Sequence, residues 1–122
     1  MSKRILLVDD SASVRQVAGI ALRRAGYEIV EAEHGQDGLS KLDGGKLNLT
    51  ISDVNMPVMN GIEFLKAVKQ HATCKFTPVI MLTTEAGEDM KQQGRAAGAK
   101  AWIVKPFQPQ TLLDAVAKLV LP

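Results

Sequence analysis

Residues Arg4–Asp10 read RILLVDD, four aliphatic side chains running without a break into two adjacent carboxylates. A short continuous apolar run suits a strand buried on both faces, as in the interior of a parallel sheet. Neighbouring acids repel, so the edge where this strand stops must hold something that justifies two of them. Working outward, the run Ile5–Val8 is followed by four more, Glu28–Glu31, Leu47–Ser52, Val79–Leu82 and Ala101–Val104. Together they predict five strands. The second is the most polar and suits the edge of a sheet.

The intervening segments have helical spacing. Val14, Val17, Ala18, Ala21 and Leu22 repeat at three and four residues, as do Ile62, Leu65, Val68 and Ala72, and then Leu112, Leu113, Val116, Leu119 and Val120. Each set is one apolar stripe turned to a core. A shorter helix is predicted over Gly35–Asp43. The segment from Gly87 to Ala97 has two glycines and offers only Met90 and small alanines to a core, so it is expected to be the loosest helix. Strict β-α alternation implies an α/β domain, a doubly wound parallel sheet with helices on both faces.

The bulk properties fit one such domain. The chain has 122 residues, 46% of them hydrophobic and 23% charged, an ordinary globular balance. Fifteen basic against 13 acidic residues leave a net charge of +2 with no concentrated basic patch, which argues against nucleic-acid or membrane binding. The single cysteine, Cys74, excludes an intramolecular disulfide, and no Cys/His cluster suggests zinc. The short apolar run after Lys3 and Arg4 is no signal peptide, and no segment is long enough to span a bilayer, so a cytoplasmic protein is expected.

In an open α/β sheet, ligands bind beyond the carboxyl ends of the strands. The first strand ends at Asp9 and Asp10, the third at Asp53, the fourth at Thr83 and Thr84, and the fifth at Lys105. Three carboxylates and one lysine sum to −2. Two like charges 4 Å apart repel by about 4 kcal/mol at an effective dielectric of 20, so this edge calls for a cation. Hard oxygen donors with room for water suit Mg²⁺, which pairs one or two carboxylates with a phosphate. Thr83 and Lys105 then serve as anion ligands, a hydroxyl donor and a point charge. Singly, each residue has a plainer reading: Asp10 or Ser11 as a helix cap, the threonines as loop residues, Lys105 as a solvated lysine. Their shared placement argues for a site.

In order and spacing, Asp9-Asp10, DVNMPVMNG at Asp53–Gly61, LTT at Leu82–Thr84 and KPF at Lys105–Phe107 resemble a response-regulator receiver domain, over essentially the whole chain. The single-domain chemotaxis regulators are the nearest type. The resemblance implies a flavodoxin-like sheet of order 2-1-3-4-5 and one receiver domain over residues 1–122 with no output domain. It implies that Asp53 accepts a phosphoryl group from a sensor histidine kinase. Asp10, Asp53 and the backbone carbonyl of Asn55 would bind Mg²⁺, with Asp9 acting through water. Thr83 and Lys105 would hold the phosphoryl oxygens, and the bond before Pro106 is expected to be cis. Asn55, Thr84 and Glu85 flank the entrance. Thr83 and the aromatic Trp102 form the switch, which changes the face of the fourth helix, fifth strand and fifth helix for a target protein.

Such a domain catalyses its own phosphorylation and dephosphorylation, but is mainly a signalling switch, expected as a monomer. Where members that dock on the flagellar motor tend to carry lysines, this chain has Gly87-Glu88-Asp89, with Lys91 and Arg95 later and Ala115 on the last helix. That composition argues against the motor as the target. Two other readings compete. A receiver-like interaction module that is not phosphorylated would usually lack an acid or the lysine, and all are present. A flavodoxin-type electron carrier would need a phosphate loop where DDSASVR stands, and more aromatics than 4% of the chain.

Overall fold

The computed structural model describes residues 3–42, 44–56, 59–84 and 88–120. In chain order the elements are β1 (Arg4–Val8), α1 (Ala12–Arg24), β2 (Glu28–Ala32), α2 (Gly35–Lys41), β3 (Leu49–Asp53), α3 (Gly61–Gln70), β4 (Val79–Thr83), α4 (Glu88–Ala96), β5 (Ala101–Val104) and α5 (Pro109–Leu119). The strands form one parallel sheet of order β2-β1-β3-β4-β5. The polar strand β2 is at one edge, as its composition implies. No helix among the described residues is long and apolar enough to cross a membrane.

Because side chains alternate along a strand, β1 feeds two cores. Leu6 and Val8 join Val79, Met81 and the α3 residues Ile62, Phe64, Leu65 and Val68 on one face. Ile5 and Leu7 join Leu49, Ile51, Ile80 and Leu82 with Ala18 and Leu22 of α1 and Leu112 and Val116 of α5 on the other. Both faces are covered, so β1 and β4 are almost wholly apolar, while β3 also buries Thr50, Ser52 and Asp53.

Two boundaries and one apolar stripe differ from the sequence reading. The third strand begins at Leu49 rather than Leu47, because Asn48 already binds the start of β1 on both sides: its Oδ1 accepts from the Arg4 amide at 2.9 Å and its own amide donates to the Arg4 carbonyl at 2.8 Å. Helix α3 stops at Gln70, where His71 leaves helical geometry, so Ala72 lies beyond it. The stripe on α1 also divides. Ala18 and Leu22 are buried, but Val17 is 52% exposed and Ile20 45%. Asp43, the expected end of α2, is outside the described residues.

Candidate phosphoryl site at the carboxyl edge of the sheet

Parallel register brings the polar strand ends together. Val8 lies beside Ser52, Asp53 beside Leu82, and Thr83 beside Val104. Asp9, Asp53, Thr83 and Lys105 therefore emerge along one edge. One carboxylate oxygen each from Asp9, Asp10 and Asp53 lies within 4.8 Å of the other two. Asp9 and Asp53 are buried and Asp10 is exposed. Ser11, not Asp10, caps α1: its Oγ accepts from the Val14 amide at 3.3 Å. The Asp10 carboxylate is thus left to the cluster.

Lys105 is the cation already inside this cluster. Its Nζ is 2.7 Å from Asp9 Oδ2 and 3.2 Å from Asp53 Oδ1. Asp53 Oδ1 also accepts from the Asn55 amide at 3.3 Å. Even so, burial and the Asp9 charge push the Asp53 pKa up to about 6, against the opposing pull of Lys105 and the Asn55 amide. Burial works to lower the Lys105 pKa, but the hydrogen bond to Asp9 and the two carboxylate charges outweigh it and the net shift is upward. The site is short of positive charge, and Asp53 bears the deficit. Three hard carboxylate oxygens at this spacing fit a small divalent ion, which would remove that deficit.

The rest of the expected site is arranged around this centre. Thr83 is buried, and its carbonyl accepts from the Lys105 amide at 2.6 Å. The Lys105–Pro106 bond is cis. Thr84 is exposed, and Asn55 Nδ2 donates to its Oγ1 at 3.1 Å, a side-chain bar beside Asp53. Glu85 is outside the described residues. Gly61, the first residue of α3, leaves no room for a side chain: a Cβ there would come within 2.2 Å of the Asp53 carbonyl oxygen. The Asn-Gly pair is more than a turn marker, since Asn60 caps α3 in a reciprocal box with Glu63 while Gly61 lets the helix start against the acid.

Trp102 lies away from the acids, partly buried against the core that α3 fills. Its indole Nε1 is buried with no hydrogen-bond partner among the described residues. A Cβ on Gly94 of α4 would meet the indole Cζ3 at 2.6 Å, so the ring rests directly on that glycine. Sequence reasoning missed this role and counted Gly94 only as a weak point of the helix. The pairing of an interior glycine with a bulky aromatic eight residues later was the available signal. It also missed a groove of about 280 Å³ where Val14 and Val17 of α1 face Pro106 and Phe107 beside Lys105 and Thr84. The exposed Val17 belongs to this groove.

A doubly wound sheet of this order, with three acids and a lysine gathered at the switch point in strand order, defines a signal-receiving regulatory domain. The family model for the response regulator receiver domain matches residues 5–117. The chain is 42% identical over 113 residues to chemotaxis protein CheY1 of Helicobacter pylori, covering 91% of each chain. It is 36% identical over 117 residues to chemotaxis protein CheY of Pseudomonas aeruginosa, covering 95% of this chain and 94% of that one. The structure of Vibrio cholerae chemotaxis protein CheY4 superposes with a TM-score of 0.94 at 47% identity, covering 98% of this chain and 100% of that one. The chain belongs to the response-regulator receiver family and is homologous to CheY chemotaxis regulators, consistent with two-component phosphorelay signalling.

Proposed function

We propose that this chain is a Mg²⁺-dependent phosphoryl acceptor that switches its α4-β5-α5 face for a target protein, with Asp53 as the acceptor. The observation that carries this reading is the Asp53 carboxylate itself. It is almost fully buried, grouped with two more acids, and still within 3.2 Å of a lysine ammonium. A structural ion pair would not need the surplus acids, whereas a phosphoryl acceptor does. Asp10, Asp53 and the Asn55 carbonyl are the proposed Mg²⁺ ligands, with Asp9 acting through water. Bound there, the ion would neutralise the carboxylates and the incoming phosphoryl oxygens.

The residues divide the remaining work. An Asp53 carboxylate oxygen forms the new P–O bond as the P–N bond of a kinase phosphohistidine breaks, and the imidazole leaves with the electron pair. Such transfer depends on in-line placement and charge neutralisation more than on covalent help. Lys105, shared between Asp9 and Asp53 before transfer, exchanges a carboxylate partner for a phosphoryl oxygen. The Thr83 hydroxyl donates to another. The groove beside Lys105, open and apolar at Val17 and Phe107, gives the donor protein a surface next to the acceptor. The phosphoryl group carries about −1.5 to −2 of charge by analogy with other phosphorylated side chains. Since the acylated carboxylate loses its own charge, the net addition is about −0.5 to −1, placed on new oxygens that can bias α4.

Acetyl phosphate with Mg²⁺ tests the assignment. Labelling of the unsubstituted protein and its loss in Asp53→Asn are expected. Labelling that persists in Asp53→Asn, at another residue, would overturn it.

A further inference from the structure

Asp9 is held at four points. Its amide donates to the Ala32 carbonyl of β2 at 3.1 Å, Oδ1 accepts from the Ser11 amide at 2.9 Å, and Oδ2 accepts from Lys105 at 2.7 Å. The fourth is its carbonyl oxygen, the first on β1 beyond the paired residues, which accepts from Arg15 Nη1 at 2.5 Å. Arg15 projects from the first turns of α1, and its side chain is 13% exposed. Its other nitrogens face the edge strand: Nε is 3.5 Å from Glu31 Oε1, and Nη2 is 4.0 Å from Glu33 Oε1. Glu31 is fixed in turn by Arg23, 3.0 Å away on the same helix.

We infer that Arg15 is a positioning residue for the acidic cluster, its guanidinium clamping the Asp9 carbonyl on one side and the Glu31 and Glu33 carboxylates on the other. This inference rests on the Mg²⁺ reading of the cluster. The Asp9–Asp10 peptide is a rigid plane, so holding its oxygen sets the direction in which the chain leaves β1 at Asp10. Asp10 is the exposed acid of the three and lacks the packing that orients the other two. A planar fork suits this task, because one group engages a carbonyl and carboxylates in fixed relative directions. The charges also suit it. Arg15 and Arg23 offset Glu31 and Glu33, so the clamp sits beside a cation site without adding net positive charge.

The test measures Mg²⁺ affinity calorimetrically on folded protein, alongside the urea midpoint without metal. Partners one shell out from a metal typically change its affinity by 10–100-fold when removed, so Arg15→Gln is expected to weaken Mg²⁺ binding by about 10-fold. Arg24→Gln removes an equal charge from an exposed site on the same helix and should stay within about twofold, since solvent screens it. A merely structural arginine would lower the urea midpoint and leave the affinity of the folded fraction unchanged. That result, or an equal loss in Arg24→Gln, overturns the inference. If Arg15→Gln does not fold, Glu31→Gln replaces it, because it releases the far side of the clamp. Weaker binding there supports the inference and unchanged binding overturns it. Failure of the unsubstituted protein to bind Mg²⁺ would instead overturn the metal reading.

Discussion

Helices α3 and α4 lie side by side on one face of the sheet, yet they are attached in different ways. α3 has a reciprocal cap and buries Ile62, Phe64, Leu65 and Val68, side chains worth about 1.5–3 kcal/mol each when fully removed from water. Among the α4 residues whose side chains are described, only Gly94 is buried. Each helix is joined to a neighbouring element by a glycine that seats an aromatic ring. Gly38 of α2 receives Phe64, where a Cβ would approach the ring to 2.8 Å, and Gly94 receives Trp102 at 2.6 Å. The Phe64 ring is wholly enclosed. The Trp102 ring is only partly enclosed, with a buried N–H that no described group accepts, a defect of about 1–3 kcal/mol. The same device makes a fixed joint in one place and a cheaply broken one in the other. Among the described side chains, the helix that forms part of the expected output surface has the fewest apolar anchors.

The largest test of this contrast is Phe64→Ala. Emptying a fully enclosed aromatic site should cost about 3–5 kcal/mol, read from urea unfolding. A loss below 1 kcal/mol would mean that α3 is no better anchored than α4.

The second test acts where α3 begins, against the Asp53 carbonyl. The Asp53 pKa is raised from 3.8 to about 6 in the folded protein, so between those values the folded state holds more protons than the unfolded one. Stability from this group therefore rises as pH falls through 6 and is lost again above it. The full effect is no more than about 3 kcal/mol. Metal-free protein should lose less stability between pH 7 and pH 5 than its Asp53→Asn variant, which lacks this compensating gain. At pH 7 the variant should be the more stable of the two. Identical pH profiles for the two proteins would show that Asp53 is not strained.

The two regions were also unequally legible in the sequence. β1 and β4 were readable because burial on both faces forces an unbroken apolar run, β3 because apolar and polar residues alternate over Leu47–Ser52, and the acids were readable because each follows the end of such a segment. The β3 boundary slipped by two residues because Leu47 is as buried as a strand residue while Asn48 spends its polar groups on Arg4. Val17 was assigned to the core from its spacing, yet it faces the groove beside Phe107; periodicity finds an apolar face but not whether protein or solvent covers it. Arg15 was invisible because its partners, Glu31 and the Asp9 carbonyl, become neighbours only once β2 lies against β1. Gly94 was seen but misread. Local propensity counts a helix glycine as a cost, and the reason to keep it is a ring on the next strand.

The smallest expected effect is the most informative about that reading. In Gly94→Ala the new methyl gains about 1 kcal/mol of helix propensity. Against this, overpacking costs about 1–3 kcal/mol if the ring cannot move. Trp102 has an exposed side toward which it can turn, and its unpaired N–H would gain water as it did so, so the net stability change should stay within about 1 kcal/mol. The displaced ring should reveal itself instead: Trp102 is the only tryptophan, and its emission should shift to the red and become more accessible to iodide. Adding Trp102→Phe would remove the collision, so stability in the double variant should exceed the sum of the single effects. If Gly94→Ala left the emission unchanged while unfolding cost several kcal/mol, the indole would be locked as firmly as Phe64, and α4 would be no easier to displace than α3.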